Sequence, residues 1–197
     1  MKESPLFWPV NLKGSMMFVL DETLLPAELK HIKVRNTKQA VSVIRNMKTR
    51  AFGQFLVVLN TFLLELNGRK KISQEALLKK LKRTAGMLNS SRPTFPFSEV
   101  TEIVIRWANK AVEEKIDLTQ FLSKNINGYL LGVRKKRIER VRKLAASMKN
   151  GHIILTHCNV SGELAMAAAM CKKEGKKIKF FATETRPYFQ GSKLTCW

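Results

Sequence analysis

The chain has few acidic residues: 15 Asp and Glu stand against 36 Lys and Arg in 197 residues, for a formal net charge of +21. Cysteine is also scarce. Cys158, Cys171 and Cys196 lie far apart with no CxxC spacing, which argues against a zinc site or a disulfide framework. No metal or cofactor is expected, and any cysteine function is that of a single thiol. No uninterrupted apolar run reaches the roughly 18 residues that a membrane helix needs. The most apolar stretch, Phe52 to Leu66, is broken by Gln54, Asn60, Thr61 and Glu65. The first 20 residues include Lys2, Glu3, Pro5, Pro9, Asn11 and Lys13, which leaves no continuous apolar core for a signal peptide. The expectation is a cytoplasmic protein without a membrane partner.

What is present is enough apolar material for a core. At 45% apolar residues the chain is not a disordered basic tail, and its length fits one large domain or two small ones. The excess of positive charge fits nucleic-acid binding, an anionic small substrate or a lysine-rich solvated surface, and charge alone does not choose among them.

Residues 1–36 read as a small β and turn segment, with Met16 to Leu20 as a strand running into a turn at Asp21-Glu22-Thr23. Residues 37–149 read as a helical domain. Ala40, Val41, Ile44 and Met47 share a helical face, and the run from Phe52 to Leu66 stops at Asn67-Gly68. Ser73 is placed to cap a helix carrying Leu77, Leu81, Ala85 and Leu88, which ends at Ser90-Ser91-Arg92-Pro93. Ser98 opens another helix through Val104 and Trp107, and a long one spans Leu118 to about Met148. The basic cluster of Arg134, Lys135, Lys136, Arg137, Arg140, Arg142 and Lys143 reads as the solvated face of that last helix. Apolar residues interleave with it at helical spacing and no aromatic platform accompanies it, so nucleic acid is not the expected partner.

At Asn150-Gly151 the apolar spacing changes. His152 to Cys158 suits a buried parallel strand, Ser161 to Lys173 an Ala-rich helix, and Ile178 to Thr183 a second strand, so residues 150–197 read as one βαβ unit. Two parallel strands are a poor independent sheet. Other strands are expected from a companion chain or from a longer protein of which this is the front part.

Chemistry is expected at the carboxyl ends of these strands. Thr156-His157-Cys158-Asn159 follows the first strand and precedes a helix N-terminus, the place where open α/β sheets bind ligands and where thiols ionise more readily. A buried structural role for Cys158 is an equal reading. The loop after the second strand, Thr183 to Gly191, offers Glu184, Arg186 and Gln190. Arg186 fits a phosphate or an ion pair with Glu184.

Thr156-His157-Cys158-Asn159 and Glu184-Thr185-Arg186-Pro187 with Gln190-Gly191 closely resemble the methylthioribose-1-phosphate isomerases. They also resemble the related ribose-1,5-bisphosphate isomerases and the regulatory subunits of translation initiation factor two-B. Leu20 to Pro26, Ile44 to Arg50 and Ser91 to Thr94 resemble further segments of the first branch, in order along the chain. The resemblance implies a helical N-terminal domain followed by the start of a Rossmann-like parallel α/β domain, truncated here. It implies an aldose-ketose isomerase of ribose 1-phosphates, or else a non-catalytic regulatory or assembly subunit, in a homo-oligomer or with a companion chain.

Carried over to this sequence, it makes Cys158 one of two catalytic groups and makes Arg50, Arg92 and Gln190 substrate contacts. Asn159, Glu184 and Arg186 are further candidates. After Arg50 the family's Gly-Ala is Ala51-Phe52 here, so Phe52 stands where backbone would approach a phosphate. The family's catalytic Asp lies on a later strand, beyond Trp197.

Overall fold

The computed structural model describes residues 3–68 and 72–197. A two-residue hairpin turn joins β1 (Val10–Lys13) to β2 (Met16–Leu20), with Gly14 at φ +57°, a left-handed conformation that glycine accepts without steric cost. β3 (His31–Val34) pairs antiparallel with the other edge of β2, with Met17 opposite Val34. Val10, Met17, Val19 and Val34 are buried, and α2 (Ala51–Leu66) lies against β1 and β2.

Local signals set the helix starts. α1 (Thr37–Arg45) begins where the Asn36 side chain accepts the Gln39 N–H at 3.0 Å. α3 (Gln74–Asn89) begins where Ser73 Oγ accepts the Ala76 N–H at 3.2 Å, the cap that the sequence predicts. α4 (Phe97–Glu113) starts one residue ahead of the predicted Ser98, because Phe97 is drawn into the core and packs its ring 4.8 Å from that of Phe95. α5 (Leu118–Ser147) starts where Asp117 Oδ1 accepts the Gln120 N–H at 2.7 Å.

α2 is buried almost all round, through Leu56, Val57, Val58, Leu59, Phe62 and Leu63. Each such side chain contributes about 1.5–3 kcal/mol relative to an exposed one. Its polar residues fit because they bond back to the helix: Asn60 Nδ2 donates to the Leu56 carbonyl at 2.8 Å and Thr61 Oγ1 to that of Val57 at 2.7 Å. No helix among the described residues is long and apolar enough to cross a membrane.

The chain packs as two compact units. Residues 10–21 and 31–131 form a helical unit; residues 3–9, 22–30 and 132–197 form an α/β unit, and α5 contributes to both. In the α/β unit, β4 (Ile153–Thr156) pairs in parallel with β5 (Lys179–Ala182) across α6 (Glu163–Lys173), with Ile154 opposite Phe180. Ile154 and Phe180 pack against a core of Phe7, Val141, Ala145, Met148, Ala167 and Cys171.

The strands are covered on that face alone, not on both faces as a buried parallel strand would be. Ile153, Leu155 and Phe181 alternate onto the other face and are 71%, 74% and 52% exposed. The basic face of α5 is also less solvated than its spacing predicts. Arg134 lies over the Phe7 and Trp8 rings and pairs with Glu3. Arg137 is only 4% exposed.

Candidate functional site

In the helical unit Gln54 bonds the backbone of one candidate arginine and the side chain of the other. Arg50 is the N-cap of α2 and is 7% exposed. The next turn needs Gly53, since a Cβ there would stand 1.8 Å from Thr49 Oγ1. Gln54 follows, with no exposed surface. Its backbone N–H bonds the Arg50 carbonyl at 2.8 Å, and its Nε2 donates to the Thr49 carbonyl at 2.9 Å. Its Oε1 accepts from Arg92 Nη1 at 2.8 Å.

Arg92 comes from the turn between α3 and α4 and also lies over the Phe95 ring, 5.1 Å from its centroid. Phe52, the bulky departure from the family pattern, stacks on Phe55 at 6.1 Å.

In the α/β unit the loops after β4 and β5 are laced together by short polar side chains. The Cys158 N–H donates to Thr185 Oγ1 at 3.2 Å, and Thr195 Oγ1 donates to the Cys158 carbonyl at 2.5 Å. His157 Nδ1 lies 2.7 Å from Thr183 Oγ1. Cys158, Ser161, Thr185 and Phe189 all have left-handed backbone, with φ between +49° and +61°. Such a concentration outside glycine marks loops held by their surroundings against local preference.

Gln190 precedes a π-helical turn, Gly191–Thr195, which carries Thr195 back to Cys158. Gly191 is required there: a Cβ would come within 1.6 Å of the Thr183 carbonyl oxygen. Asn159 Nδ2 donates to buried Glu22 at 3.1 Å, and Asn159 Oδ1 accepts the Ser161 N–H at 2.8 Å. Asn159 and Val160 line a cavity of about 370 Å³ with Leu164, Leu194 and Trp197.

Glu184 and Arg186 take the second of their two readings. Arg186 Nε donates to Glu184 at 2.8 Å on the surface, which offsets the charge that a phosphate would use. The start of α6 is fixed by a different pair. Glu163 bonds Arg137 at 2.9 Å and Arg140 at 2.7 Å, and Arg137 Nη2 also donates to the Ser161 carbonyl at 2.7 Å. Burial pulls the Arg137 guanidinium down to about 10, and the neighbouring Glu163 carboxylate opposes the shift.

The structure thus joins Arg50 to Arg92 through Gln54, and joins Cys158 to the turn after Gln190 through Thr195. Gln54, Glu22, Thr185 and Thr195 are not among the sequence candidates. Gln54 does carry one signal, as an amide inside the most apolar run of the chain.

A methylthioribose-1-phosphate isomerase of Desulforudis audaxviator is 29% identical over an alignment that covers 98% of this chain and 56% of that protein. A 5-deoxyribose 1-phosphate isomerase of Moorella thermoacetica is 29% identical over 96% of this chain and 57% of its own length. The chain therefore spans little more than half the length of these relatives. Among solved structures, translation initiation factor eIF-2B subunit delta from A. fulgidus superposes with a TM-score of 0.76 at 27% identity, over 97% of this chain and 58% of that one.

The 5-methylthioribose 1-phosphate isomerase of Pyrococcus horikoshii OT3 gives a TM-score of 0.80 at 21% identity, over 100% and 59%, and so shares the mixed helical and α/β fold. The model of the initiation factor 2 subunit family, IF-2B, matches residues 53–197. With nearly three quarters of its length under that match, the chain belongs to the initiation factor 2 subunit family.

Proposed function

We propose that this chain is the N-terminal portion of an aldose-ketose isomerase acting on a ribose 1-phosphate, of the methylthioribose-1-phosphate or ribose-1,5-bisphosphate type. The observation that carries this reading is the Thr-His-Cys-Asn segment at the carboxyl end of β4, in a chain whose relatives over 96–98% of its length are named as isomerases of 1-phosphorylated sugars. In such a sugar the anomeric oxygen is esterified, so the ring cannot open to a free aldehyde. The ring oxygen must take a proton as its bond to C1 breaks, hydrogen moves from C2 to C1, and the C2 hydroxyl loses its proton to become the ketone carbonyl. Groups of opposed protonation serve these steps.

Cys158 is one of them in this reading. Arg50 and Arg92 hold the phosphate dianion, and Gln190 contacts the sugar. The helical residues 37–149 then lead into residues 150–197 as the first βαβ unit of a Rossmann-like domain. A continuation of the chain or a companion chain supplies the remaining strands and the second proton-handling group. The exposed apolar face of Ile153, Leu155 and Phe181 supports such a completion.

The superposition on an initiation factor subunit favours a second reading, a non-catalytic regulatory or assembly subunit. By the resemblance, Cys158 weighs against it, because the regulatory branch generally lacks that residue. The test is an isomerase assay with methylthioribose 1-phosphate and ribose 1,5-bisphosphate, on residues 1–197 alone and with a candidate C-terminal partner. Turnover that requires the partner and is lost in Cys158→Ser is the expected result. Absence of turnover in every combination, with a stable hetero-oligomer formed, would favour the regulatory reading.

A further inference from the structure

Four arginines with carboxylate partners set a contrast for Arg92. Arg134 pairs with Glu3, Arg137 and Arg140 with Glu163, and Arg186 with Glu184. Among the described residues no carboxylate lies within ion-pair distance of Arg92; it is held by the amide oxygen of Gln54 and by the Phe95 ring. A carboxylate in the place of Gln54 would orient the guanidinium and neutralise it together. An amide orients it and leaves the charge intact.

Gln54 is also committed on its other side. Its Nε2 donates to the Thr49 carbonyl at 2.9 Å and lies 3.2 Å from Met47 Sδ, so both ends of a side chain with no exposed surface are satisfied. One buried amide therefore joins the turn that leads into Arg50 to a guanidinium 38 residues further along the chain.

We propose that Gln54 is a positioning residue. It orients Arg92 and ties it to the Arg50 turn as a neutral partner, so that Arg92 presents its full charge to a phosphoryl group. The inference rests on the assignment of Arg92 to substrate phosphate under the proposed function. A purely structural Gln54 would stabilise the helical unit without changing what Arg92 binds.

Two readouts separate these roles, one of them independent of any ligand. The first is hindered rotation of the Arg92 Nη groups, followed by nitrogen-15 NMR of residues 1–197. It is expected in the wild type and lost in Gln54→Met, which keeps the length of the side chain and removes its polar atoms. The second is calorimetric titration with methylthioribose 1-phosphate and ribose 1,5-bisphosphate. Gln54→Met and Arg92→Ala should each weaken binding roughly ten-fold or more, and the double variant should be no weaker than Arg92→Ala alone.

Gln54→Glu, which pairs with Arg92 and cancels its charge, should keep the rotation hindered and still lose affinity. A structural role would not produce that split. Freely rotating Arg92 in the wild type, Gln54→Met binding as tightly as wild type, or additive losses in the double variant would overturn the proposal. If the wild type together with its completing C-terminal partner binds neither sugar phosphate while Arg92 is held by Gln54, the isomerase reading fails and the orienting role stands.

Discussion

The Cys158 backbone N–H donates to Thr185 Oγ1 at 3.2 Å, and both residues hold left-handed backbone, at φ +60° and +61°. For a β-branched residue that conformation is a genuine outlier and costs on the order of 1–3 kcal/mol. It persists because Thr185 Oγ1 also bonds the Thr183 carbonyl at 3.2 Å and lies 3.1 Å from the Thr183 hydroxyl. The loops after the two parallel strands thus fix each other's backbone through hydroxyls.

Thr185→Val tests this directly, since it keeps the side-chain shape and removes the hydroxyl. The expected loss is about 1–2 kcal/mol of stability, with faster hydrogen exchange at the Cys158 amide. Unchanged exchange at that amide would show that the hydroxyl does not hold the loop.

The two tight glycines should not tolerate a methyl group. Gly191→Ala drives a Cβ toward a backbone carbonyl and Gly53→Ala drives one into the buried Thr49 side chain, so each should cost about 1–3 kcal/mol in urea unfolding. Gly86→Ala meets nothing within 4 Å and is the control; it should be neutral or slightly stabilising.

Glu163 is the counter-ion of a buried guanidinium, and its partners differ in depth. Glu163→Gln removes the carboxylate paired with Arg137, which is 4% exposed, and should destabilise by about 3–5 kcal/mol. Arg140→Ala removes a partner whose side chain is 60% exposed and should cost less than about 1 kcal/mol. Equal losses in thermal melts of the two variants would contradict this ordering.

The bare sheet face should drive association. Replacing Ile153 and Leu155 together by Thr is expected to change stability by only about 0.5 kcal/mol per site, because both lie in solvent. It should lower self-association in sedimentation velocity. An unchanged size distribution would mean that this face is not the adhesive one.

Short-range features were legible in the sequence. The Ser73 cap joins residues three apart, and the change of period at Asn150-Gly151 reflects spacing within single elements. The Glu184 and Arg186 pair, two residues apart, was likewise one of the readings open from sequence. Gln54 was not legible: in the sequence it only interrupts an apolar run, and its decisive partner, Arg92, is 38 residues away. Arg137 reads as one of a basic cluster at helical spacing. Its burial depends on Phe7 and Glu163, which only folding brings beside it.

By itself the sequence determined the helices α1 to α6, the two parallel strands, the strand-end position of Cys158 and the family motifs, because caps and apolar periods are written within a few residues of one another. The tertiary structure alone decided which polar groups are spent on one another and which face of the sheet is covered. Arg137 is paired with Glu163 while Arg92 is held by an amide, and Ile154 is packed while Ile153 lies in solvent. Those outcomes depend on distances and desolvation between segments far apart in the chain, which no local pattern encodes.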